Sequence, residues 1–234
     1  MNQNLVSQCM RDHRKSAQYF INYLTDAYAD IKKYNARLIE TFESHDNAKR
    51  QRILTSFTNI CLETLQAEFS AGADKCRIAK LLDYCCYVIS WDDKPSYDEL
   101  MIPMSLAIIL DCRDVVRNLI TKNTLTIISD RLLNYLYGCI SSGTPYWDRR
   151  LHLWPEYAML DYVFMADDKI EQYRALRRYL LGWYNNHAND AWYDNHKSDA
   201  DTYRGYWSFE TAAIAISLGM SDDDFRGVEY YPAF

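Results

Sequence analysis

The chain has 234 residues, an apolar share of 49%, only 7 glycines and 5 prolines, and a net charge of −6. That length suits one large domain or two small ones, and the apolar share excludes the disordered class. Few turn residues argue against an all-β fold, and the negative charge argues against a nucleic-acid binder, whose phosphate contacts demand Lys and Arg.

Arg11, Asp12, Arg14 and Lys15 interrupt any apolar signal core near the N-terminus, so no secretory segment is expected. The longest apolar run, Met101 to Leu110, is broken by Pro103 and followed by Asp111, too short for a membrane helix. Seven cysteines form no C-x-x-C pair, and adjacent Cys85 and Cys86 are poorly placed to bridge. The pattern reads as reduced thiols on apolar helix faces in a cytoplasmic protein.

The first long segment carries an apolar stripe of Phe20, Tyr23, Leu24, Ala27, Tyr28, Ile31, Tyr34, Leu38 and Phe42. Steps of three and four predict one long amphipathic helix. The polar run "ESHDNAK" ends it. A second stripe of Ile53, Leu54, Phe57, Ile60, Cys61, Leu65 and Phe69 predicts the next helix, with Gly72 as its stop. Asp74 is placed to cap a third helix through Cys76, Ile78, Leu82, Cys85 and Ile89. "DDKPSYDEL" reads as a turn with caps, and Met101 to Ile120 as one or two further helices with Pro103 in a first turn. "TKNT" (Thr121 to Thr124) is the expected hinge between halves.

Leu125 to Cys139 reads as helical, Pro155 starts a further helix, and Asp167 or Asp168 caps the next. The stretch 185–201 is polar and irregular, and a last helix ends near Gly219. The expected fold is all-α, a helical bundle of two halves with no substantial sheet: an N-terminal helical domain over 1–121 and a C-terminal one over 122–234.

The charge is unevenly placed. Residues 1–189 hold 23 acidic and 23 basic side chains, whereas residues 190–234 hold nine acids against Lys197, Arg204 and Arg226. Such an end is either a solvated face or a surface for a basic partner. No P-loop, G-x-S-x-G or H-E-x-x-H occurs. His187 and His196 with Asp190, Asp194 and Asp199 match no metal-ligand spacing, so no metal, cofactor or catalytic residue is expected. Most of the 20 tyrosines and 6 tryptophans read as core. Trp192 and Tyr193, inside the acidic stretch, are the interface candidates. In "YRGYWSFETAAIAISLG", Gly205 permits a tight turn between Tyr203 and Tyr206, Ser208 is placed to cap the last helix, and Glu210 sits in its first turn. Tyr206 and Trp207 then wedge the helix start against the bundle, so the motif is structural.

The same run, Tyr203, Gly205, Tyr206, Trp207, Ser208, Glu210, Ala212 and Ala213, with the acidic turn and the terminal Tyr230, Tyr231 and Pro232, resembles the C-terminal domain of the PoNi family. These are immunity proteins of PoNe polymorphic nuclease effectors. The family commonly ends that last run in an acidic residue, where this chain has Ala233 and Phe234. "RDHRKSAQYFINYL" is more weakly similar to the start of the family's N-terminal helical domain. The resemblance implies a non-enzymatic cytoplasmic protein that binds and neutralises a cognate toxin, a DNase effector of a type VI or related secretion system. An acidic inhibitor would occlude the basic surface of such a nuclease. The expected contacts are Asp190, Trp192, Tyr193, Asp194, Asp199, Asp201, Asp222, Asp223 and Asp224, with no nucleic-acid or membrane partner and a homodimer left open. Two rival readings remain: a hydrolase acting on a small molecule or a modification through His187, Asp190, His196 or Glu210, and a helical scaffold without a toxin.

Overall fold

A computed structural model describes residues 9–234; residues 1–8, which open the expected N-terminal domain, lie outside it. Among the described residues the protein is all-α, with ten α-helices, four short 3-10 turns and no strand. The helices are α1 (Ala17–Ser44), α2 (Asn47–Ser70), α3 (Lys75–Ile89), α4 (Tyr97–Ile109), α5 (Arg117–Lys122), α6 (Thr124–Ser129), α7 (Arg131–Ser141), α8 (Leu160–Phe164), α9 (Lys169–Asn186) and α10 (Phe209–Ser217). They divide into two compact units: the described residues up to 99 with 194–205, and 100–193 with 206–234. Thr121 to Thr124 falls inside the second unit, at the junction of α5 and α6.

In the first unit α1 packs on α2 and α2 on α3. The stripes read from the sequence supply the core: Phe20, Leu24 and Ile31 from α1, Phe57, Leu65 and Phe69 from α2, Ile78, Leu82 and Ile89 from α3. Phe42, placed in the first stripe, is exposed, its ring edge-on to Trp91. The helix ends follow side-chain chemistry. Ser16, Asp46 and Asp74 accept from backbone N–H groups in the first turns of α1, α2 and α3, satisfying donors that have no partner within the helix. His45, at φ +56°, breaks α1 from α2. Gly72, at φ +91°, ends α2.

The charged pair in this core is closed. Glu68 is 1% exposed, takes two bonds from the Arg77 guanidinium, and accepts from Tyr28 Oη at 2.7 Å. Burial, followed by this carboxylate, pushes the Tyr28 phenol up to about 12. Cys61, Cys85 and Cys86 are buried as expected, but Cys76 is exposed, because it lies in the first turn of α3 before the helix meets its neighbour.

Helix α4 starts earlier than its apolar run suggests. The backbone N–H of Ser96 donates to Glu99 Oε2 (2.6 Å), and Glu99 N–H donates back to Ser96 Oγ (3.4 Å). This reciprocal cap starts the helix at Tyr97, so Pro103 lies inside it rather than in its first turn. The missing proline N–H leaves one carbonyl of that helix unpaired within it.

In the second unit the segment Leu125–Cys139 is helical, as expected, but in two pieces. Asp130 is extended (φ −106°, ψ 141°), bridges to His152, and caps α7 through Leu133 N–H. Leu125 is consequently left 82% exposed on the short α6. Arg131 then ties the following loop down: its guanidinium donates to Leu151 and Arg149 carbonyls and to Asp161. Asp168, one of the two residues expected to cap α9, accepts from Ile170 and Glu171 N–H groups, each at 2.8 Å. Gly219 follows α10, its N–H bonded to Ile216 O and that of Met220 to Ala215 O. Among the described residues no helix is long and apolar enough to cross a membrane.

Candidate partner-binding surfaces

Within the second unit, α9 ends in a sequence that sets rings on one side. Backbone bonds from His187 N to Tyr184 O, Asp190 N to His187 O and Tyr193 N to Asp190 O wind the chain through successive turns. These turns fold Trp192 and Tyr193 back over α9. Trp192 stacks on Trp183 (5.4 Å between ring centres, 20°), and Tyr193 on Tyr184 (4.4 Å, 26°). Tyr230 lies parallel to Tyr184 at 5.3 Å, and Tyr206 Oη donates to the Trp192 carbonyl at 3.3 Å. Trp192 and Tyr193 remain part-exposed over buried Trp183 and Tyr206.

Asp190, at the edge of this stack, is held by His187: Oδ2 and Nδ1 are 2.7 Å apart, with the imidazole 5% exposed. His187 Nε2 and Trp183 Nε1 are buried with no hydrogen-bond partner among the described residues. Glu210 is engaged elsewhere. It is 1% exposed and accepts from Tyr179 Oη (2.7 Å) and Ser208 Oγ (2.5 Å). The expected Ser208 side-chain cap is therefore absent. Ser208 occupies the N-cap position of α10, but its hydroxyl is committed to the Glu210 carboxylate and the Thr211 hydroxyl. Its backbone N–H donates to Tyr230 O at 2.9 Å, which pins the C-terminal segment beside the helix start. No hydrogen bond or ion pair among the described residues joins Glu210 to His187 or Asp190.

The acidic turn 222–224 in the same unit is neutralised only in part, by a single cation. Arg226 reaches Asp222 at 2.6 Å and Asp223 at 3.2 Å. Asp224 is exposed and its carboxylate has no ion pair among the described residues. Burial, followed by Asp222, pushes the Tyr231 phenol well above its ordinary range.

In the first unit the segment 194–205 lies along α1 and α2 and is fastened by hydrogen bonds. Tyr203 is fully buried; its Oη donates to Asp12 Oδ2 (2.5 Å), and its N–H and C=O bond the Tyr19 hydroxyl at 2.8 and 2.9 Å. Ser70 Oγ donates to Arg204 O at 2.7 Å, and Arg204 pairs with Glu63 at 2.8 Å. Gly205 has φ +104°, a conformation that strains any L side chain. Asp194 pairs with Lys197 at 2.8 Å, whereas Asp199 and Asp201 are exposed with no ion pair among the described residues. His196 rests on the Tyr203 ring at 6.0 Å, and burial holds its pKa below the usual value.

Of the acids read as contacts, then, the carboxylates of Asp190, Asp194, Asp222 and Asp223 have ion-pair partners, and those of Asp199, Asp201 and Asp224 have none among the described residues. Sequence reasoning missed Trp183, Tyr184 and Tyr230 as the rings that carry Trp192 and Tyr193. The signal was there in the aromatic density at both ends of the polar stretch.

These features define an all-α protein whose C-terminal region presents ordered aromatics and free carboxylates. Residues 128–233 match the family described as PoNe immunity proteins (PoNi), C-terminal, so the resemblance drawn from Tyr203 to Pro232 extends over that whole region. No curated protein matches the chain. The crystal structure of protein PA2201 from Pseudomonas aeruginosa is similar, with a TM-score of 0.67 and 13% identity over 98% of this chain and 91% of that one. At that identity the likeness speaks to the fold alone.

Proposed function

We propose that this protein is an immunity protein that binds and neutralises a cognate PoNe nuclease effector, acting without turnover in the cytoplasm of the cell that makes the effector. The observation that carries the reading is the PoNi match over 128–233. The surface chemistry supports it. Nucleases that grip DNA are basic, and an acidic inhibitor gains steered association with them. We assign steering to the free carboxylates Asp199, Asp201 and Asp224, and anchoring to Trp192 and Tyr193, whose residue types dominate interface energetics. The effector is read as a DNase delivered by a type VI or related secretion system, inhibited by cover of its basic active-site surface.

The test is co-expression with the product of the neighbouring gene, followed by co-purification and binding kinetics. The expected result is rescue of growth and a stable complex. D199K/D201K/D224K should slow association about tenfold at low salt, and W192A should speed dissociation by about tenfold or more. Both variants should keep the wild-type circular dichroism. A charge-reversed variant that associates at the wild-type rate in low salt would remove the acidic-steering reading. A complex that fails to form at all would remove the immunity reading.

A further inference from the structure

The outer side of α9 carries a stripe that neither the fold nor the effector-binding reading uses. Ile170, Arg174, Arg178 and Leu181 recur at steps of four, four and three and therefore share one helix face. Ile170 is 63% and Leu181 60% exposed, and both arginines are exposed. From α8 and its C-cap, Tyr162 (65%) and Met165 (50%) stand beside them. Tyr162, Met165, Ala166, Arg174, Ala175 and Arg178 line an open cleft of about 420 Å³. Neither Arg174 nor Arg178 has an ion pair among the described residues, and Glu171 on the same rim makes none with them. Arg177, next to Arg178, keeps Nη1 buried without a hydrogen-bond partner among the described residues, adding positive charge to this helix.

Bare arginines framed by exposed Tyr, Met, Ile and Leu have the composition of an interface, where Arg, Tyr and Met are enriched. We propose that this face docks an acidic helical segment of a partner polypeptide. Two carboxylates of that segment pair with Arg174 and Arg178, and apolar side chains at either end cover Ile170 and Leu181. Charge complementarity selects this occupant: the face is positive on a chain whose net charge is −6, opposite in sign to the surface assigned to a basic nuclease. Eleven residues separate Ile170 from Leu181, about 16 Å along the helix axis. The occupant's apolar groups should have that same separation. The inference stands independently of the effector reading.

The experiment uses the full chain and a fluorescein-labelled helical peptide bearing two leucines about three turns apart and two glutamates between them. Its counterpart carries lysines in place of the glutamates. Fluorescence anisotropy at low salt should show saturable binding of the acidic peptide only. R174E/R178E should weaken it about tenfold, as should raising the salt, since exposed pairs are screened. I170S/L181S should weaken it with the salt dependence retained. The proposal is overturned if the acidic peptide shows no saturable binding, if the lysine peptide binds equally, or if R174E/R178E binds as wild type with unchanged circular dichroism. Concentration-dependent self-association abolished by R174E/R178E, read by sedimentation, would make a second copy of this chain the occupant and overturn it as well.

Discussion

Replacing Tyr203 by Phe isolates the contact that fastens the acidic segment of the first unit. The ring stays, with its contact to Phe20 at 6.4 Å, and only the hydroxyl is lost. That hydroxyl donates at 2.5 Å to the carboxylate of Asp12, which is 1% exposed. A hydrogen bond to a buried charged group contributes about 1.5–3 kcal/mol. Asp12 keeps two other donors, Arg14 N at 2.8 Å and Arg14 Nη1 at 3.3 Å, so the lower part of that range applies, about 1.5–2 kcal/mol. For a chain of this size each kcal/mol moves the melting midpoint by about 2–4 °C, which gives a loss of about 3–8 °C. Calorimetry measures the midpoint. Amide hydrogen exchange across 194–205 measures the release, which should be faster there than in α2. A double-mutant cycle with Asp12→Asn should show coupling above about 0.5 kcal/mol. Additive effects, or a variant melting within about 1 °C of wild type, would refute the claim that this bond holds the segment.

Gly72→Ala should be far more damaging than a helix-end substitution elsewhere: at φ +91° its Cβ would sit 2.0 Å from the Cys9 carbonyl oxygen, so the expected loss exceeds the roughly 1–2 kcal/mol of backbone strain alone, read by urea denaturation. On the alkaline side, Tyr28 and Tyr84 are pushed up to about 12 by burial. The folded form therefore keeps protons the unfolded form gives up near 10.0, and stability present below that pH is lost as pH rises toward 12; tyrosinate absorbance should rise together with loss of circular dichroism. On the acid side, the His196 pKa is lowered by burial from 6.5. Folding thus excludes a proton, and its contribution is full above about pH 6.5 and lost as pH falls through the folded value. His196→Gln should flatten the stability profile in that window, measured by thermal melts.

The helices of the first unit were legible because their evidence is local. Period-3.6 stripes and the capping aspartates Asp46 and Asp74 act within a few residues of where they stand. The errors fall where a distant residue decides. Asp130 breaks an apparently continuous helix by pairing with His152, and no pattern inside Leu125–Cys139 announces that partner. Ser208 had the type and position of a cap, yet its hydroxyl goes to buried Glu210, whose carboxylate is held by Tyr179, 31 residues away. Tyr203 was assigned a structural role, but its anchor, Asp12, is 191 residues away. The candidate surface was legible in composition and not in state: charge could be counted, but pairing needs coordinates.

That distinction changes how the acidity of the C-terminal region works. Nine carboxylates against three cations between 190 and 234 suggest a uniformly negative face. Arg226 nonetheless engages Asp222 and Asp223, Lys197 engages Asp194, and His187 engages Asp190. The Lys197 charge cancels that of Asp194 beyond a few ångströms, and the single Arg226 cancels one of the two carboxylates it engages. The long-range field therefore falls mainly to the unpaired Asp199, Asp201 and Asp224, with one further net negative charge on the Asp222–Asp223–Arg226 cluster. The paired ones instead order the turns that carry the aromatics. Trp192 and Tyr193 are already stacked on Trp183 and Tyr184, so little side-chain freedom is left for a partner to remove. On the proposed reading, free charge governs how fast the effector is met, and pre-stacked rings govern how long it is held. The two properties are then separable by mutation, because different side chains carry them.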